Sequence, residues 1–360
     1  MRIPERVQSI LIVKLSSIGD VVQSLPVAAA LRRRFPGAYI AWAVKPAAAD
    51  VVAGNPYLSE TLVLGGQAAR SDCRALPPLR EPQRLARALR ERRFELAIDM
   101  QGLFKTALVA RLSGAPARIG FRNRQEGAFL LNNLSIVPDR RDLHAVEVYL
   151  GFAAAVGAPT TPVEFSIAIS ESDERAVDGL LGDRDNLVAL IPGARWLSKR
   201  WTPAKFAAVA DALADGEGCT SVVVGASSDT ALAAEIVASA KAPILDLTGK
   251  TTLKQLAALF RRCRLVVSNE TGPMYIASAM GTPTVAIFGP TDAERLGPYG
   301  SVHAKVVPDL PCRPCRRRTC QPLRCMEAIA PEPVVSAARR LLHQPSSGGD
   351  ACQRASTNPA

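Results

Sequence analysis

The sequence predicts an α/β protein made of two domains, each a doubly wound parallel sheet. Short apolar runs with strand character alternate along the chain with longer runs that are apolar at the i, i+3, i+4 and i+7 positions of a helix. This alternation occurs in two similar series of about five strands each. At 360 residues the chain is also long enough for two domains of ~150 residues each.

The first domain is predicted over residues 1–160. Its strand-like segments are SILIVKL, YIAWAVK, ETLVLG, FELAIDM and ARIGF. The second domain is predicted over residues 172–343, with the strand-like segments LVALIPG, TSVVVGA, PILDLTG, RLVVSNE and TPTVAIFG and the helix-like stretches PAKFAAVADALAD and TLKQLAALFRRC. We expect the hinge between residues 158 and 172. Residues 344–360 are rich in Ser, Gly and Pro without periodicity, which predicts a disordered tail.

Composition narrows the class of protein further. No window approaches the ~20 apolar residues that cross a bilayer, and the N-terminus lacks the apolar core and cleavage site of a signal peptide. We therefore expect a cytoplasmic protein whose eight cysteines are reduced, buried or metal-bound. The net charge of +11 is typical of proteins with an acidic partner, although an Arg-rich proteome also gives such a charge for solubility.

The turn after the first strand, SSIGD, is small, polar and acidic where a ligand is expected to approach. In an open parallel sheet, ligands collect beyond the carboxyl ends of the strands, next to the unpaired amides of the following helix. Ser16, Ser17 and Gly19 leave room for close approach, and Asp20 lies at the helix start. The alternative interpretation of Asp20 is an ordinary helix cap.

The second domain has two comparable loops. PGARWLSKRW places Gly193, Ala194, Arg195 and Lys199 after a strand, as a diphosphate site requires, although a solvated basic loop has the same composition. The later stretch SNETGPMYIASAMGTPTVAIFGPTD ends a strand in Glu270, Thr271 and Gly272, which suits sugar hydroxyls and phosphate or, alternatively, a helix cap.

Together with DMQGLFKTALVARLSG, these segments resemble glycosyltransferase family 9, the bacterial lipopolysaccharide heptosyltransferases, over about residues 8 to 340. The resemblance implies the GT-B architecture, two Rossmann-like doubly wound domains facing across a cleft. It also implies an N-terminal acceptor-binding domain and a C-terminal nucleotide-sugar-binding domain. Members of this family move heptose from ADP-heptose to the inner core of lipopolysaccharide with inversion at the anomeric carbon.

The resemblance assigns roles residue by residue. It implies that Asp20 is the general base and that the donor contacts the second domain. The donor-binding candidates are Gly193, Ala194, Arg195, Lys199, Glu270, Thr271, Gly272 and Tyr275. The acceptor, Kdo-lipid A or inner-core lipopolysaccharide at an anionic inner-membrane surface, is anionic, and the acceptor-binding candidates are Ser16, Ser17, Gly19, Gln101, Lys105, Arg70, Arg74, Arg118, Arg122 and Arg124. Several of these arginines also fit a solvated helix face.

The sequence departs from the family at three places. Glu270 stands where the family usually has Asp, Tyr275 stands where it has His, and Gln125-Glu126 stands where the first heptosyltransferase has an Arg-Glu pair. DLHAVEVYL resembles the first heptosyltransferase, whereas CRPCRRRTCQPLRCM resembles a segment of the second enzyme and other branches. We expect a heptosyltransferase I-like enzyme, with a II-like enzyme, another donor or a protein acceptor as alternatives.

Four cysteines form a cluster with the spacing C-x2-C-x4-C-x4-C, namely Cys312, Cys315, Cys320 and Cys325. Such a set is a candidate for structural zinc or an iron–sulfur cluster, and disulfides are an alternative. No metal or other cofactor is expected to be needed for catalysis.

Two further classes are compatible with the fold. A basic nucleic-acid-binding protein would share the charge, but the arginine segment lacks interleaved aromatic residues, so no nucleic-acid partner is expected. A nucleotide-sugar epimerase or hydrolase would use the same two domains without an acceptor. A dinucleotide-dependent oxidoreductase is disfavoured because no G-x-G-x-x-G follows a strand.

Overall fold

The structure is a computed structural model that describes residues 6–67, 73–122, 126–137, 140, 142–320 and 322–344. The chain divides into two compact units, residues 1–168 and 169–360, and this division lies within the segment predicted as the hinge. Each unit is built around one parallel sheet, which confirms the predicted fold class. Within the described residues, no helix has both the length and the apolar character that a bilayer span requires.

The first unit contains a seven-stranded sheet with the order β4-β3-β2-β1-β5-β6-β7. Its strands are β1 Ser9–Val13, β2 Tyr39–Val44, β3 Glu60–Leu64, β4 Cys73–Leu76, β5 Leu96–Asp99, β6 Ala117–Phe121 and β7 Leu134–Val137. Its helices are α1 Ile18–Arg34, α2 Pro46–Val52, α3 Pro82–Arg90, α4 Phe104–Leu112 and α5 Ala145–Ala155. Helix α1 packs on α2 and α5, and α3 packs on α4.

The second unit contains a six-stranded sheet with the order β10-β9-β8-β11-β12-β13. Its strands are β8 Leu187–Ile191, β9 Thr220–Val223, β10 Ile244–Asp246, β11 Cys263–Asn269, β12 Thr284–Ile287 and β13 His303–Val306. Its helices are α6 Glu171–Leu181, α7 Pro203–Glu217, α8 Thr230–Ser239, α9 Leu253–Arg262, α10 Gly272–Ala279, α11 Ala293–Leu296, α12 Arg324–Glu327 and α13 Pro331–His343.

The central strands hold the cores. Every residue of β1 and of β8 is buried, because helices cover both faces of a doubly wound parallel sheet. The aromatic anchors are Trp42 in the first unit and Trp201 in the second, and both are almost completely buried. The apolar runs that predicted strands in the sequence are these doubly covered strands.

Each sheet reverses its strand order at one point. In the first unit the reversal lies between β1 and β5, and in the second it lies between β8 and β11. At such a point the loops that follow the two neighbouring strands diverge to opposite faces, which opens a crevice at the carboxyl edge of the sheet. The loops after β1, β5, β8 and β11 are therefore where the fold leaves room for ligands.

Candidate functional site

The turn between β1 and α1 brings Asp20 to the reversal point of the first sheet. Ser17 is the N-cap of α1, and Asp20 is the third residue of the helix. The Asp20 Oδ2 atom accepts hydrogen bonds from the Ser17 amide at 3.1 Å and from the Ser17 hydroxyl at 2.7 Å. Asp20 thus does contribute to capping the helix, through one of its two carboxylate oxygens.

A tyrosine hydroxyl links the other oxygen of Asp20 to a buried lysine. Tyr149 of α5 donates its hydroxyl to Asp20 Oδ1 at 3.2 Å, and the Lys14 ammonium donates to the Tyr149 hydroxyl at 2.8 Å. Lys14 follows β1 and is only 3% exposed. Burial alone would raise the pKa of Asp20, but the Lys14 charge and the hydrogen bonds from Ser17 and Tyr149 together hold it below its ordinary value. The carboxyl group is therefore ionised at neutral pH.

The loop after β5 supports this turn from the neighbouring strand. Gln101 accepts hydrogen bonds at its Oε1 atom from the amide of Leu15 at 2.9 Å and from the amide of Ser16 at 3.3 Å. The buried carboxylate of Asp99 in turn accepts from the Gln101 and Gly102 amides. Burial raises the pKa of Asp99, and these hydrogen bonds offset part of that rise. Gln101, predicted to bind the acceptor, thus also fixes the backbone before Asp20.

The cationic candidates of the first unit divide between the two edges of the sheet. Lys105 in the first turn of α4 and Arg122 after β6 are exposed at the carboxyl edge, on the same edge as Asp20. Arg74 instead forms an ion pair with Glu60 at 3.5 Å, where β3 begins. Arg118 lies near the start of β6 and donates to the carbonyl oxygens of Leu131 and Ala115. The structure therefore does not bring Arg74 or Arg118 together with Asp20.

Two further acceptor-binding candidates, Arg70 and Arg124, lie outside the described residues, as do Gln125 and the predicted disordered tail after residue 344. Ser16 and Gly19 belong to the turn itself. Ser16 is half-buried and Gly19 is buried at the start of α1. Of the predicted acceptor-side residues, the structure thus gathers Ser16, Ser17, Gly19 and Gln101 around Asp20.

In the second unit, the loops after β8 and β11 meet in a buried ion pair. The Lys199 ammonium lies 2.8 Å from Glu270 Oε1, with 14% and 6% of the two side chains exposed. Tyr275 of α10 donates to the same oxygen at 3.4 Å, and Thr291 donates to Oε2. Both carboxylate oxygens of Glu270 therefore have hydrogen-bond partners, and Glu270 holds the Lys199 ammonium in place.

The aromatic ring of Trp196 completes the seat of Lys199. The ammonium lies 4.3 Å from the centre of this ring, a cation–π distance, and the Arg318 guanidinium lies 5.3 Å from the same centre. An ammonium has three N–H bonds, and the ion pair with Glu270 uses one of them. Lys199 therefore retains donors for an anionic ligand at the carboxyl edge of β8.

The loop that carries Lys199 is fixed at both of its ends. Arg200 donates from Nε to the carbonyl oxygen of Ala194 at 2.8 Å, which closes the loop. Asn269 at the end of β11 accepts from the Trp201 amide and donates to the Pro192 carbonyl. Arg195 is exposed.

Gly193 has a packing reason that the sequence did not indicate. A Cβ atom at this position would lie 2.4 Å from the Asp229 Oδ2 atom, which accepts a hydrogen bond from the Ala226 amide. The missing side chain thus makes room for the carboxylate of Asp229 beside the loop.

Thr271 is the N-cap of α10, and Gly272 is the first residue of that helix. The structure thus gathers Gly193, Lys199, Glu270, Thr271, Gly272 and Tyr275 around the carboxyl ends of β8 and β11.

The segment that carries the cysteine cluster contacts the loop that carries Lys199, because the Ser198 hydroxyl donates to the Arg317 carbonyl oxygen. Among the described residues, no group of three or more Cys, His, Asp or Glu side chains is arranged to hold a metal ion. Cys312 and Cys315 are exposed, whereas Cys325 is buried. Burial raises the pKa of the Cys325 thiol, and the neighbouring Cys315 and Cys320 raise it further. The Cys320 Sγ atom contacts the Pro322 carbonyl oxygen.

Sequence reasoning did not identify Lys14, Tyr149, Trp196 or Thr291. A signal existed for Lys14, the one charged residue in the apolar run SILIVKL, and for Tyr149, which belongs to the DLHAVEVYL segment. Tyr149 and Asp20 are 129 positions apart in the sequence, so only the packing of α5 against α1 brings them together. Trp196 and Thr291 carry no pattern that separates them from ordinary loop residues.

Comparison with known proteins adds independent findings. The family model for glycosyltransferase family 9 (heptosyltransferase) matches residues 83–325. The chain is similar to lipopolysaccharide heptosyltransferase 1 of Pseudomonas aeruginosa, with 26% identity over 326 residues, 86% of this chain and 87% of the relative.

Two solved structures share the fold. A glycosyl transferase family 9 structure from Veillonella parvula superposes with a TM-score of 0.79 at 24% identity, and covers 95% of this chain and 99% of its own. The structure of E. coli ADP-heptose lps heptosyltransferase II superposes with a TM-score of 0.74 at 24% identity, and covers 93% and 98%. Both matches extend over more than 90% of this chain.

Proposed function

This chain belongs to glycosyltransferase family 9, and we propose that it transfers heptose from ADP-heptose to the Kdo/heptose inner core of lipopolysaccharide with inversion at the anomeric carbon. The observation that carries the proposal is the ionised Asp20 carboxylate at the reversal point of the first sheet. The names of the relatives support the donor and the acceptor, since they include a lipopolysaccharide heptosyltransferase and an ADP-heptose heptosyltransferase.

In the proposed reaction, the acceptor hydroxyl oxygen forms a bond to the anomeric carbon while the bond from that carbon to the ADP oxygen breaks. The hydroxyl proton passes to Asp20, and ADP leaves with the electron pair of the broken bond. An aspartate with a lowered pKa is a weak base, which suits a hydroxyl that becomes acidic only as its oxygen bonds to the oxocarbenium-like carbon. Tyr149 and Ser17 hold the carboxylate, and Lys14 keeps it charged.

The second unit is the proposed donor site. Lys199 is proposed to neutralise the charge that develops on the departing diphosphate, with amides near Gly193 and at Thr271 and Gly272 as further donors. The Glu270 carboxylate and the Trp196 ring support this role, because they fix the ammonium before any ligand binds. Arg195, Ala194 and Tyr275 are proposed to complete the donor contacts.

On the acceptor side, Ser16, Gln101, Lys105 and Arg122 are the proposed contacts, because they lie at the carboxyl edge of the sheet with Asp20. Arg74 and Arg118 have intramolecular partners at the other edge, and this weakens the case for them. A guanidinium or ammonium at the carboxyl edge suits an acceptor that carries carboxylates and phosphates.

Within the family, we propose a heptosyltransferase I-like enzyme that adds heptose directly to Kdo. The DLHAVEVYL segment supports this choice, and its Tyr149 contacts Asp20. The test is mass spectrometry of reactions that contain ADP-heptose with either Kdo-lipid A or its mono-heptosylated product. A I-like enzyme adds one heptose to the first acceptor and none to the second, whereas the reverse result identifies a II-like enzyme.

We further propose that the enzyme works at the cytoplasmic face of the inner membrane as a peripheral protein, since its proposed acceptor is a membrane lipid. The net charge of +11 favours an anionic surface.

Heptosyltransferases generally need no cofactor for catalysis. A metal at Cys312, Cys315, Cys320 and Cys325 stays a prediction, and its role would be structural and not catalytic. Metal analysis of protein purified without chelators tests it. Zinc or iron near one equivalent would support the prediction, and less than about a tenth of an equivalent would contradict it.

A further inference from the structure

Three large apolar side chains are exposed together on the first unit. Phe104 at the start of α4 is 47% exposed, Phe129 is 49% exposed and Leu130 is 74% exposed. We call these three residues the apolar face. The other large hydrophobic residues exposed to this degree in the described part of the chain, Leu197, Val237 and Val307, belong to the second unit. The exposure on the first unit is therefore concentrated in one place.

The apolar face is part of one packed substructure. Phe129 and Leu130 lie in the short 3-10 turn Ala128–Leu130, which packs against α4 and β6. The Phe104 amide at the start of α4 donates to the Glu126 carboxylate at 3.3 Å, which ties the two segments together. Ala128, the first residue of the 3-10 turn, is buried and anchors the turn. The exposed rings are thus presented by an anchored turn and a helix terminus.

The surroundings of the apolar face are cationic at the edge that carries Asp20. Lys105 is exposed and follows Phe104 directly, and Arg122 is exposed after the end of β6. Glu126 is an acidic residue beside the face, and its carboxylate accepts a hydrogen bond from the Phe104 amide. Exposed aromatic and aliphatic side chains next to Lys and Arg are the combination that binds anionic lipid interfaces.

We propose that the apolar face docks this chain onto the surface of an anionic bilayer. Phe104, Phe129 and Leu130 enter the interfacial region, while Lys105 and Arg122 meet lipid headgroups. The proposal rests on the proposed function, because a lipid-anchored acceptor has its sugar at the membrane surface. Phe104, the first residue of α4, follows Gln101 by three positions, and Gln101 accepts hydrogen bonds from the Leu15 and Ser16 amides, so the docked face lies near the turn that carries Asp20.

Co-sedimentation with vesicles tests the proposal without any transfer reaction. The full chain is expected to bind vesicles of phosphatidylcholine with phosphatidylglycerol more strongly than vesicles of phosphatidylcholine alone, and higher salt should weaken the binding. The triple variant F104S/F129S/L130S should lower the partition coefficient on the anionic vesicles at least about tenfold, since it removes the apolar surface that the three side chains would bury in the lipid interface. The matched control V237S/V307S removes exposed apolar side chains from the second unit and should bind as the wild type does.

Equal binding by the triple variant and the wild type overturns the proposal. The proposal is also overturned if the triple variant differs from the wild type in the sedimentation coefficient of the lipid-free protein but not in vesicle binding. That result would identify the face as a contact between two copies of the chain. The single variant Leu130→Glu guards against misfolding of the triple variant, because Leu130 is mostly exposed, and it should also weaken binding. Transfer to an acceptor stripped of its acyl chains should be unchanged in both variants, so failure of the transferase assignment and failure of docking give different results.

Discussion

At the scale of single residues, the carboxylate of Asp20 has two distinct tasks. Its Oδ2 atom caps α1 through Ser17, and its Oδ1 atom accepts from Tyr149, which connects it to Lys14. A cap contributes about 1 kcal/mol to helix stability and needs no buried lysine. The buried ammonium behind Tyr149 indicates that the charge state of Asp20 matters as well as its place in the helix.

Tyr149→Phe tests this interpretation through the pH dependence of kcat/KM. A general base works only when ionised, so the rate falls as the pH drops through the pKa of Asp20. The Tyr149 hydrogen bond helps to hold that pKa down, so the variant should have a higher pKa and its acidic limb should move to higher pH. Tyr39→Phe is the matched control, because Tyr39 donates to the Glu60 carboxylate at the opposite edge of the sheet. An unmoved acidic limb in Tyr149→Phe would contradict the role of the tyrosine.

Lys199→Ala should weaken ADP binding about tenfold to a hundredfold, the range for one charge-assisted hydrogen bond, and should also lower turnover. Calorimetric titration with ADP measures the affinity. Lys250→Ala is the control, because that lysine donates to the Asp246 carbonyl at the carboxyl end of β10, which β9 separates from β8. Lys199→Ala leaves the Glu270 carboxylate buried without its cation, which can also destabilise the protein. The double variant K199M/E270Q removes both charges and so separates lost ADP binding from lost stability. Wild-type ADP affinity in that double variant would exclude Lys199 from the donor site.

At the scale of elements, the loop that carries Lys199 depends on a glycine in another strand connection. A Cβ atom on Gly289, just after β12, would lie 2.9 Å from the Ser198 carbonyl oxygen and 2.6 Å from the Met326 Sδ atom. The backbone before Lys199 would have to move. Gly289 therefore sets how closely the Ser198–Lys199 backbone packs against the end of β12.

Gly289→Ala should destabilise the second unit by about 1–3 kcal/mol and weaken ADP binding, because it overpacks the contact with Ser198. Thermal unfolding and titration with ADP measure the two effects. Gly179→Ala in α6 has no atom within 4 Å of the new Cβ and should stabilise the protein by about 0.5–1 kcal/mol. A Gly289→Ala protein as stable as the wild type, with unchanged ADP affinity, would show that the contact is not tight.

The sequence predicted the buried central strands and the edge strand β10, but it missed the edge strands β4, β7 and β13. Strands such as β1 and β8 are covered on both faces, so their apolar runs are visible in the sequence. The strands β4, CRAL, and β13, HAKV, are edge strands with polar residues, and no apolar run predicts them. The segment VEFSIAI has an extended pattern but forms no strand in the structure.

For the candidate site, the sequence predicted which loops matter but not what holds their side chains. Loop positions follow from strand order, and the turn residues of SSIGD are local in sequence. The contacts of Asp20 with Tyr149 and of Trp201 with Asn269 join residues far apart in the chain. Such pairs depend on helix packing and strand order, which periodicity does not encode.

At the scale of the whole molecule, the positive charge is not one acceptor surface. Arg74 and Arg92 both pair with Glu60, and Arg118 binds loop carbonyls, so part of the arginine excess stabilises the fold. Among the described cationic residues that were predicted to bind the acceptor, Lys105 and Arg122 are exposed at the carboxyl edge, where Asp20 also lies. Composition overstated the share of the charge that is available to a ligand.

The two units also divide the proposed chemistry between them. The first unit holds the ionised carboxylate, and the second holds the ammonium fixed by Glu270 and Trp196. Each group lies where its own sheet reverses its strand order, and that recurrence supports a shared function more strongly than either group does alone.

Turnover with ADP-heptose and Kdo-lipid A, followed by mass spectrometry for the wild type and Asp20→Asn, tests the central claim most directly. We predict one heptose added by the wild type, at least about a hundredfold less turnover in Asp20→Asn, and nearly unchanged donor affinity in that variant. Near-normal turnover in Asp20→Asn, or cleavage of ADP-heptose without transfer to the acceptor, would contradict the account.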